Sequence, residues 1–402
     1  MANSLLTIGG ITRKAIQLFR NANSFLQMVD RQYDDQFAKT GAKIGAQLRV
    51  RLPNDYTVRV GQTAVPQNTN ENQVTLTIGT QAGVDVSFTS QELALSMDDF
   101  AYRVLDPMVN DLAAYVAKDV MTGAESIPNY VQNYSGSLIS PVAATWLQAG
   151  AVLDINSAPR SNRNIIADPL TMARTVSTLS GLFNPQAEIS KQYKVGLIAQ
   201  NVLGFDWAMD QTVLLHTCGT FASGTMNGAN QSGSTLTVSA ITGTLLVGDL
   251  ITIAGVYGVN RLTKASTGTL EQFVVTAPVS NGGTSISIYP PLNPAVTGVS
   301  QAYQTVTASP ATNAAIAAVV TASSIYRKNF AFHPTAVTLA TADLELPTSA
   351  VVAAGREAYD GISIRMVRDY ITLSDQWLTR LDILYGYVWP RPEWAVIVGD
   401  IV

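Results

Sequence analysis

Two histidines and one cysteine are the only imidazole and thiol ligands that 402 residues offer to a transition metal. With Cys218 alone, no disulfide can form within the chain, which suits folding in a reducing compartment. Charge is equally scarce. Only 13% of residues are Asp, Glu, Lys or Arg, about half the usual quarter for soluble domains. The net charge of −4, with no basic tail, excludes the Lys/Arg array that sequence-independent DNA binding needs. Nucleic acid is therefore expected as a non-specific neighbour. No apolar run approaches the roughly 20 residues that span a bilayer. Met1 to Gly10 lacks the charged-then-apolar order of a signal peptide. The expectation is a chain that folds in the cytoplasm and meets no membrane.

Catalytic patterns are missing as well. There is no G-x-x-x-x-G-K-[ST] loop, no G-x-G-x-x-G after a strand, and no G-x-S-x-G elbow. Gly224, Gly228 and Gly233 match no phosphate cradle. His216 and Cys218, two apart, share a face if they lie on a strand, but a metal site needs further ligands from distant segments. Cys218 reads as a small semi-buried residue, and His333-Pro334 as a strand-to-helix corner. Adjacent acids on a helix point about 100° apart, so Asp34-Asp35 and Asp98-Asp99 fit helix starts and solvated faces better than a reactive pair. The residues predict no catalytic, cofactor-binding or metal site, and no enzyme.

What the chain does have is apolar material: 47% hydrophobic residues, with 29 Gly and 17 Pro. That is ample for real cores in two or three compact units. So much neutral surface favours a subunit that is covered by copies of itself.

Ile11 to Phe19 carries a short helical pattern, with Ile11, Ala15, Leu18 and Phe19 near one face. It is too short to form a core alone and must lie on something else. From Lys43 to Ser90 the pattern alternates, in Gln47–Leu52, Val74–Ile78 and Val84–Phe88. This predicts a long β-hairpin with a polar tip at Gly61–Gln73, marginal without a neighbour. Val104, Met108, Leu112, Val116 and Val120 then recur every fourth residue, giving a helix with Asn110, Asp111, Lys118 and Asp119 on its outer face. Either Asp106 caps it before Pro107, or a longer helix from about Asp98 kinks there; the shared face of Phe100 and Val104 favours the kink.

Asn164–Ala167 reads as a strand and Leu170–Leu182 as a helix. From Phe221 to about Thr305, short alternating strands (Thr235–Val238, Asp249–Ile253, Phe273–Thr276, Ser285–Ile288) are separated by Gly, Asn and Ser turns. That spacing describes a small all-β module bracketed by mixed segments, as an inserted domain is. Ile251, Ile253, Val274 and Ile286 are its expected core. Ser309-Pro310 then opens an expected helix over Ala311–Ile325. Strands at Ile362–Tyr370, Trp377–Tyr387 and Ala395–Val398 close the chain.

This order resembles the tailed-bacteriophage major capsid proteins of the Hong Kong 97-type fold. Lys43-Ile44-Gly45 to Leu52-Pro53 looks like the strand entering the E-loop. Arg103 to Met108 with Leu112-Ala113 looks like the spine helix, Asn329 to His333 with Ala336 like the A-domain, and Arg380 to Gly386 with Arg391-Pro392-Glu393 like the closing P-domain strands. Val247 to Val256, continuing through Gly268 to Phe273–Ala277, is similar to the insertion domain of the podophage coat-protein subgroup.

The resemblance implies an α+β capsid fold divided as follows: N-terminal arm 1–42, E-loop hairpin 43–90, spine helix and part of the P-domain 91–140, A-domain 141–220 and 306–355, inserted β-domain 221–305, and P-domain strands 356–402. It implies a virion shell of hexamers and pentamers enclosing double-stranded DNA, with scaffolding and portal proteins as partners and no cofactor. An encapsulin-type shell is the alternative within the fold, and a β-rich adhesin or carbohydrate-binding enzyme the alternative outside it. Arg49, Arg51 and Arg59 are the hairpin cations expected to meet neighbouring subunits. Some relatives join an E-loop lysine to a P-domain asparagine. Here no lysine lies between Lys43 and Lys118, and no asparagine between Ile362 and Val402, so a non-covalent shell is expected.

Overall fold

The computed structural model describes residues 8–33, 47–52, 56, 58, 62–64, 73–89, 104–132, 141–179, 202–294, 303–347 and 351–402. These fall into two compact units. The first draws on Met1–Arg51, Gln73–Met121 and Val337–Pro390; the second on Leu52–Asn72, Thr122–Ala336 and Arg391–Val402.

The first unit is built on a six-stranded sheet whose centre is the long strand Gln376–Val388. One edge of that strand pairs with Ile362–Ile371, which pairs in turn with Ala353–Tyr359. The other edge is shared. Residues 384–388 pair with Thr338–Ala342, and residues 376–385 pair with Thr80–Thr89. The third strand of the expected hairpin therefore leaves the hairpin and joins the C-terminal sheet. The hairpin proper is Gln47–Arg51 against Gln73–Thr77, in register from Gln47↔Thr77 to Arg51↔Gln73. Of the expected tip, residues 62–64 and Gln73 are described, and all are exposed.

The N-terminal helix spans Ile8–Ala22 and lies on Ala353–Tyr359 and Ile362–Ile371. Its buried stripe is Thr12, Ala15, Ile16 and Phe19. Ile11 and Leu18, expected on that face, are only half-buried, and Ile16 takes the central place. Asp30–Tyr33 follows as a strand parallel to Thr338–Ala342.

The strongest helical pattern forms Asp106–Thr122, with Pro107 in its first turn, where a missing N–H costs nothing. Leu112 and Val116 are fully buried. The helix is pinned to the sheet by the Tyr385 hydroxyl, which donates to Asp119 Oδ2 at 2.6 Å, and by Trp389 Nε1, which donates to the Val120 carbonyl at 3.1 Å. The expected extension from Asp98 lies outside the described residues, as do Asp34-Asp35.

At Gly386 the hairpin passes directly over the central strand. A Cβ there would collide with the Thr77 carbonyl oxygen and come within 2.9 Å of Ile78 Cα. Leu76 and Ile78 bury themselves at this crossing against Ala340, Ala342 and Leu384.

The second unit contains two sheets. A mixed sheet runs in the order Tyr130–Gln132, Ala395–Ile401, Ile325–Phe332, Asn164–Ala167 and Asp206–Met209, with Leu215–Thr217 also paired to Ile325–Phe332. Helices Ala143–Ile155 and Pro169–Leu179 cover one face, packing Trp146, Ala149, Leu153 and Met172 against Ile165, Ala167 and Val398.

The second sheet is antiparallel throughout. Its order is Gly233–Thr237, Ser285–Leu292, Ser266–Val275, Leu250–Val259, Ala315–Ala318 and Gly224–Thr225. Ile251, Ile253 and Ile286 are buried in its cluster; Val274 is equally buried but outside that cluster. The expected helix over Ala311–Ile325 does not form. Asn313 turns the chain with φ 62°, Ala315–Ala318 pairs with Leu250–Val259, and a second left-handed residue, Ser323, leads into Ile325–Phe332. Alanines favour a helix, but Ile316 between two exposed alanines fills the core of the β-sheet, and tertiary packing overrides that preference.

Candidate functional site

Titratable groups converge where the chain leaves the mixed sheet and enters the β-module. His216, on Leu215–Thr217, points its Nε2 at Asp249 Oδ1, 2.9 Å away. The second oxygen of Asp249 accepts from the Gly219 amide at 3.0 Å and from the Leu246 amide at 2.7 Å. One buried carboxylate thus fastens the strand Leu215–Thr217 to the first turn of the module and to the turn before Leu250–Val259.

Gly248 makes this turn with φ +89°, and a Cβ there would come within 2.9 Å of Lys328 Nζ. The left-handed backbone favours glycine here.

Cys218 lies in the same pocket. Its Sγ, a His216 ring nitrogen and an Asp249 oxygen all fall within 4.8 Å of one another. The structure therefore adds Asp249 to the pair seen in the sequence. Asp249 already accepts from two amides and pairs with His216, and the Lys328 ammonium lies against the same group. Burial, reinforced by the Asp249 carboxylate, pushes the Cys218 thiol up to about 11.

Lys328 is 2% exposed and its ammonium has no hydrogen-bond acceptor among the described residues. Burial lowers it to about 8, against the pull of the Glu125 and Asp249 carboxylates.

A second seam ties the module to the mixed sheet. Gln272 clamps Tyr130 from both sides: its Oε1 accepts from the Tyr130 amide at 2.6 Å, and its Nε2 donates to the Tyr130 carbonyl at 3.1 Å. Glu393 accepts from Arg261 at 3.0 Å and from the Tyr289 hydroxyl at 2.9 Å. These contacts fasten the module to the mixed sheet.

Of the hairpin cations expected at a subunit contact, Arg49 is exposed on Gln47–Arg51. Arg51 ends the same strand, and Arg59 lies outside the described residues. His333 forms the expected corner, leading from Ile325–Phe332 into a short 3-10 turn, Pro334–Ala336, with Nδ1 2.8 Å from Thr335 Oγ1. No described helix is long and apolar enough to cross a membrane.

Asp249, Lys328 and Gln272 were not singled out from the sequence. Only Gly248-Asp249, a turn ahead of an alternating strand, carried a local signal. Apart from Leu246, the hydrogen-bond partners of Asp249 lie 30 and 33 residues away, and the Tyr130 partner of Gln272 lies 142 away.

Solved structures similar over most of the chain include several from phages. A structure from Mycobacterium phage Che8 is 12% identical, covers 94% of this chain and 90% of its own, and gives a TM-score of 0.43. The mature capsid of bacteriophage PhiM1 is 9% identical, covers 94% and 86%, and gives 0.42. The CUS-3 coat protein I-domain is 27% identical over 24% of this chain and 95% of its own, with a TM-score of 0.21. A search of curated proteins finds no match. The assignment rests on a family model, P22 coat protein (gene protein 5), which matches residues 11–399. With nearly the whole chain inside that match, the protein belongs to the P22 coat protein family and is a tailed-phage major capsid protein.

Proposed function

We propose that copies of this chain assemble as hexamers and pentamers into the icosahedral shell that encloses phage double-stranded DNA. The match to the P22 coat protein family over residues 11–399 carries this reading. The low charge agrees with it, as does the use of buried titratable groups as clamps between elements. Scaffolding and portal proteins are the further partners, the packaged DNA is a non-specific neighbour, and the protein is no enzyme. Exposed Arg49, with Arg51 and Arg59, meets acidic groups of adjacent subunits. The stretch 221–305 is an inserted β-domain that steadies the subunit.

Electron microscopy of the chain expressed with its scaffold tests the main claim: closed polyhedral particles are expected, and open sheets or lone subunits would overturn it. The shell is held without covalent links. Mature particles on a reducing denaturing gel should give one band near 42.8 kDa, whereas a ladder of oligomers would refute this.

A further inference from the structure

Asn-Gly occurs twice in the sequence, at Asn227-Gly228 and Asn281-Gly282, and both asparagines are exposed in turns of the β-module. Glycine has no Cβ to crowd its own amide nitrogen, so that nitrogen can reach the Cγ of the asparagine before it. Two contacts oppose such an attack: a hydrogen bond that holds the glycine N–H, and one that holds the asparagine side chain. At Asn281 both are present. Its Oδ1 accepts from the Gly243 amide at 2.9 Å, and the Gly282 amide donates to the Ile241 carbonyl at 2.8 Å. At Asn227 neither is present among the described residues. The Asn227 side chain has no hydrogen bond or ion pair there, and the Gly228 amide donates to no acceptor. Only the Asn227 backbone is held, its amide by the Thr237 carbonyl at 3.0 Å and its carbonyl by Gln231 Nε2 at 2.9 Å. Gly228 has φ +99°, and a Cβ there would meet nothing nearer than Gln231 Nε2 at 3.9 Å.

We propose that Asn227 is a modification site, converted without an enzyme to aspartate and isoaspartate through an imide with the Gly228 nitrogen, while folded Asn281 keeps its amide. The Gly228 nitrogen loses its proton and bonds to Asn227 Cγ. The Cγ–Nδ2 bond breaks, and Nδ2 leaves with that proton as ammonia. Water then opens the cyclic imide at either carbonyl. Attack on the side-chain carbonyl gives aspartate; attack on the main-chain carbonyl reroutes the backbone through Cβ and gives isoaspartate. Each event adds one negative charge to a chain whose net charge is −4. Isoaspartate also lengthens the main chain by one carbon next to Met226, which is fully buried in the module core. Met226 is anchored there, its amide donating to the Ala314 carbonyl and its carbonyl accepting from the Asn313 amide, each at 2.9 Å. The modification therefore loads the join between Gly224–Thr225 and Gly233–Thr237. The site belongs to the subunit and does not depend on the assembly reading.

Peptide mapping by mass spectrometry of the folded full-length subunit, held in warm, mildly alkaline buffer, tests the proposal. The Asn227 peptide should gain the mass of an amide-to-acid exchange and split into two isomers, at least about tenfold faster than the Asn281 peptide. In denaturant the two Asn-Gly pairs are alike and should convert at similar rates, so that the contrast belongs to the folded hydrogen bonds. Asn227→Gln, whose longer side chain would have to close a larger ring, should unfold as the parent does and lose most of the acidic drift that the parent accumulates on isoelectric focusing. No conversion at Asn227, equal or faster conversion at Asn281 in the folded chain, or the same bias persisting in denaturant would each overturn the proposal. So would aspartate alone, without its isomer, or an undiminished drift in Asn227→Gln.

Discussion

The β-module and the hairpin are both antiparallel and read alike as alternating sequence, yet they bury themselves in opposite ways. The module closes a core from its own strands: Leu236, Ile251, Ile253, Phe273, Val275, Ile286 and Ile288 all face one cluster. Among the described residues, the hairpin strands Gln47–Arg51 and Gln73–Thr77 contribute only Leu76 as a fully buried side chain, and it packs on Ala340, Ala342 and Leu384, more than two hundred residues away. Alternation shows that a strand has an inner face. It does not show what covers that face. A two-stranded ribbon is marginal alone, whereas six strands around a shared interior are not.

This contrast can be broken by mutation. The largest effect serves as a control from the helical core: Leu112→Asp buries an uncompensated charge, should cost at least about 5 kcal/mol, and should yield insoluble or unassembled chains. A soluble variant with normal unfolding would mean that the helix register is wrong. Asp249→Ala should cost about 3–5 kcal/mol, because two amides and His216 lose their acceptor together. Hydrogen exchange should speed up within 221–318 and stay unchanged in 362–388. If protection falls equally in both, the module is not self-contained.

Ile253→Ala and Leu76→Ala should each cost about 3 kcal/mol but register in different places. The first should loosen the module strands. The second should loosen 338–342 and 376–388, far from the substitution in sequence. Identical exchange maps would erase the distinction.

Lys328→Met should raise stability at pH 7, by up to about 3 kcal/mol. The ammonium's folded value near 8 lies below its ordinary 10.5. The penalty is therefore complete below pH 8 and disappears as pH climbs to about 10.5, so the gain should shrink over that window. A gain that does not change with pH would point to packing. Arg49→Ala should be the smallest, under about 0.5 kcal/mol in subunit unfolding, since the side chain is exposed; a larger cost would mean that it already has a partner within the subunit.

Much of the element order was legible in the sequence because periodicity is local. The helix Asp106–Thr122 announced itself through Met108, Leu112, Val116 and Val120, and the module through strands set apart by glycine turns. The failures share a cause. Ala311–Ile325 reads as a helix because its alanines favour one, while its strand depends on pairing Ile316 with Ile253, 63 positions earlier. Thr80–Thr89 was assigned to the hairpin, its neighbour in sequence, yet its partner is Gln376–Val388. The Asp249 clamp was invisible for the same reason. An acid in a sequence carries no mark of the amides that will reach it.

Gly386 turns this long-range seating into something that can be gauged. Because a single Cβ there meets the backbone of the strand crossing above it, the residue works as a feeler gauge slipped between two plates. A series of glycine, alanine, serine and valine at this position would pry the hairpin from the central strand by graded amounts, with little change in the pairing within each sheet. The first member at which particles change diameter or fail to close would measure how far that seam can open before the shell loses its curvature.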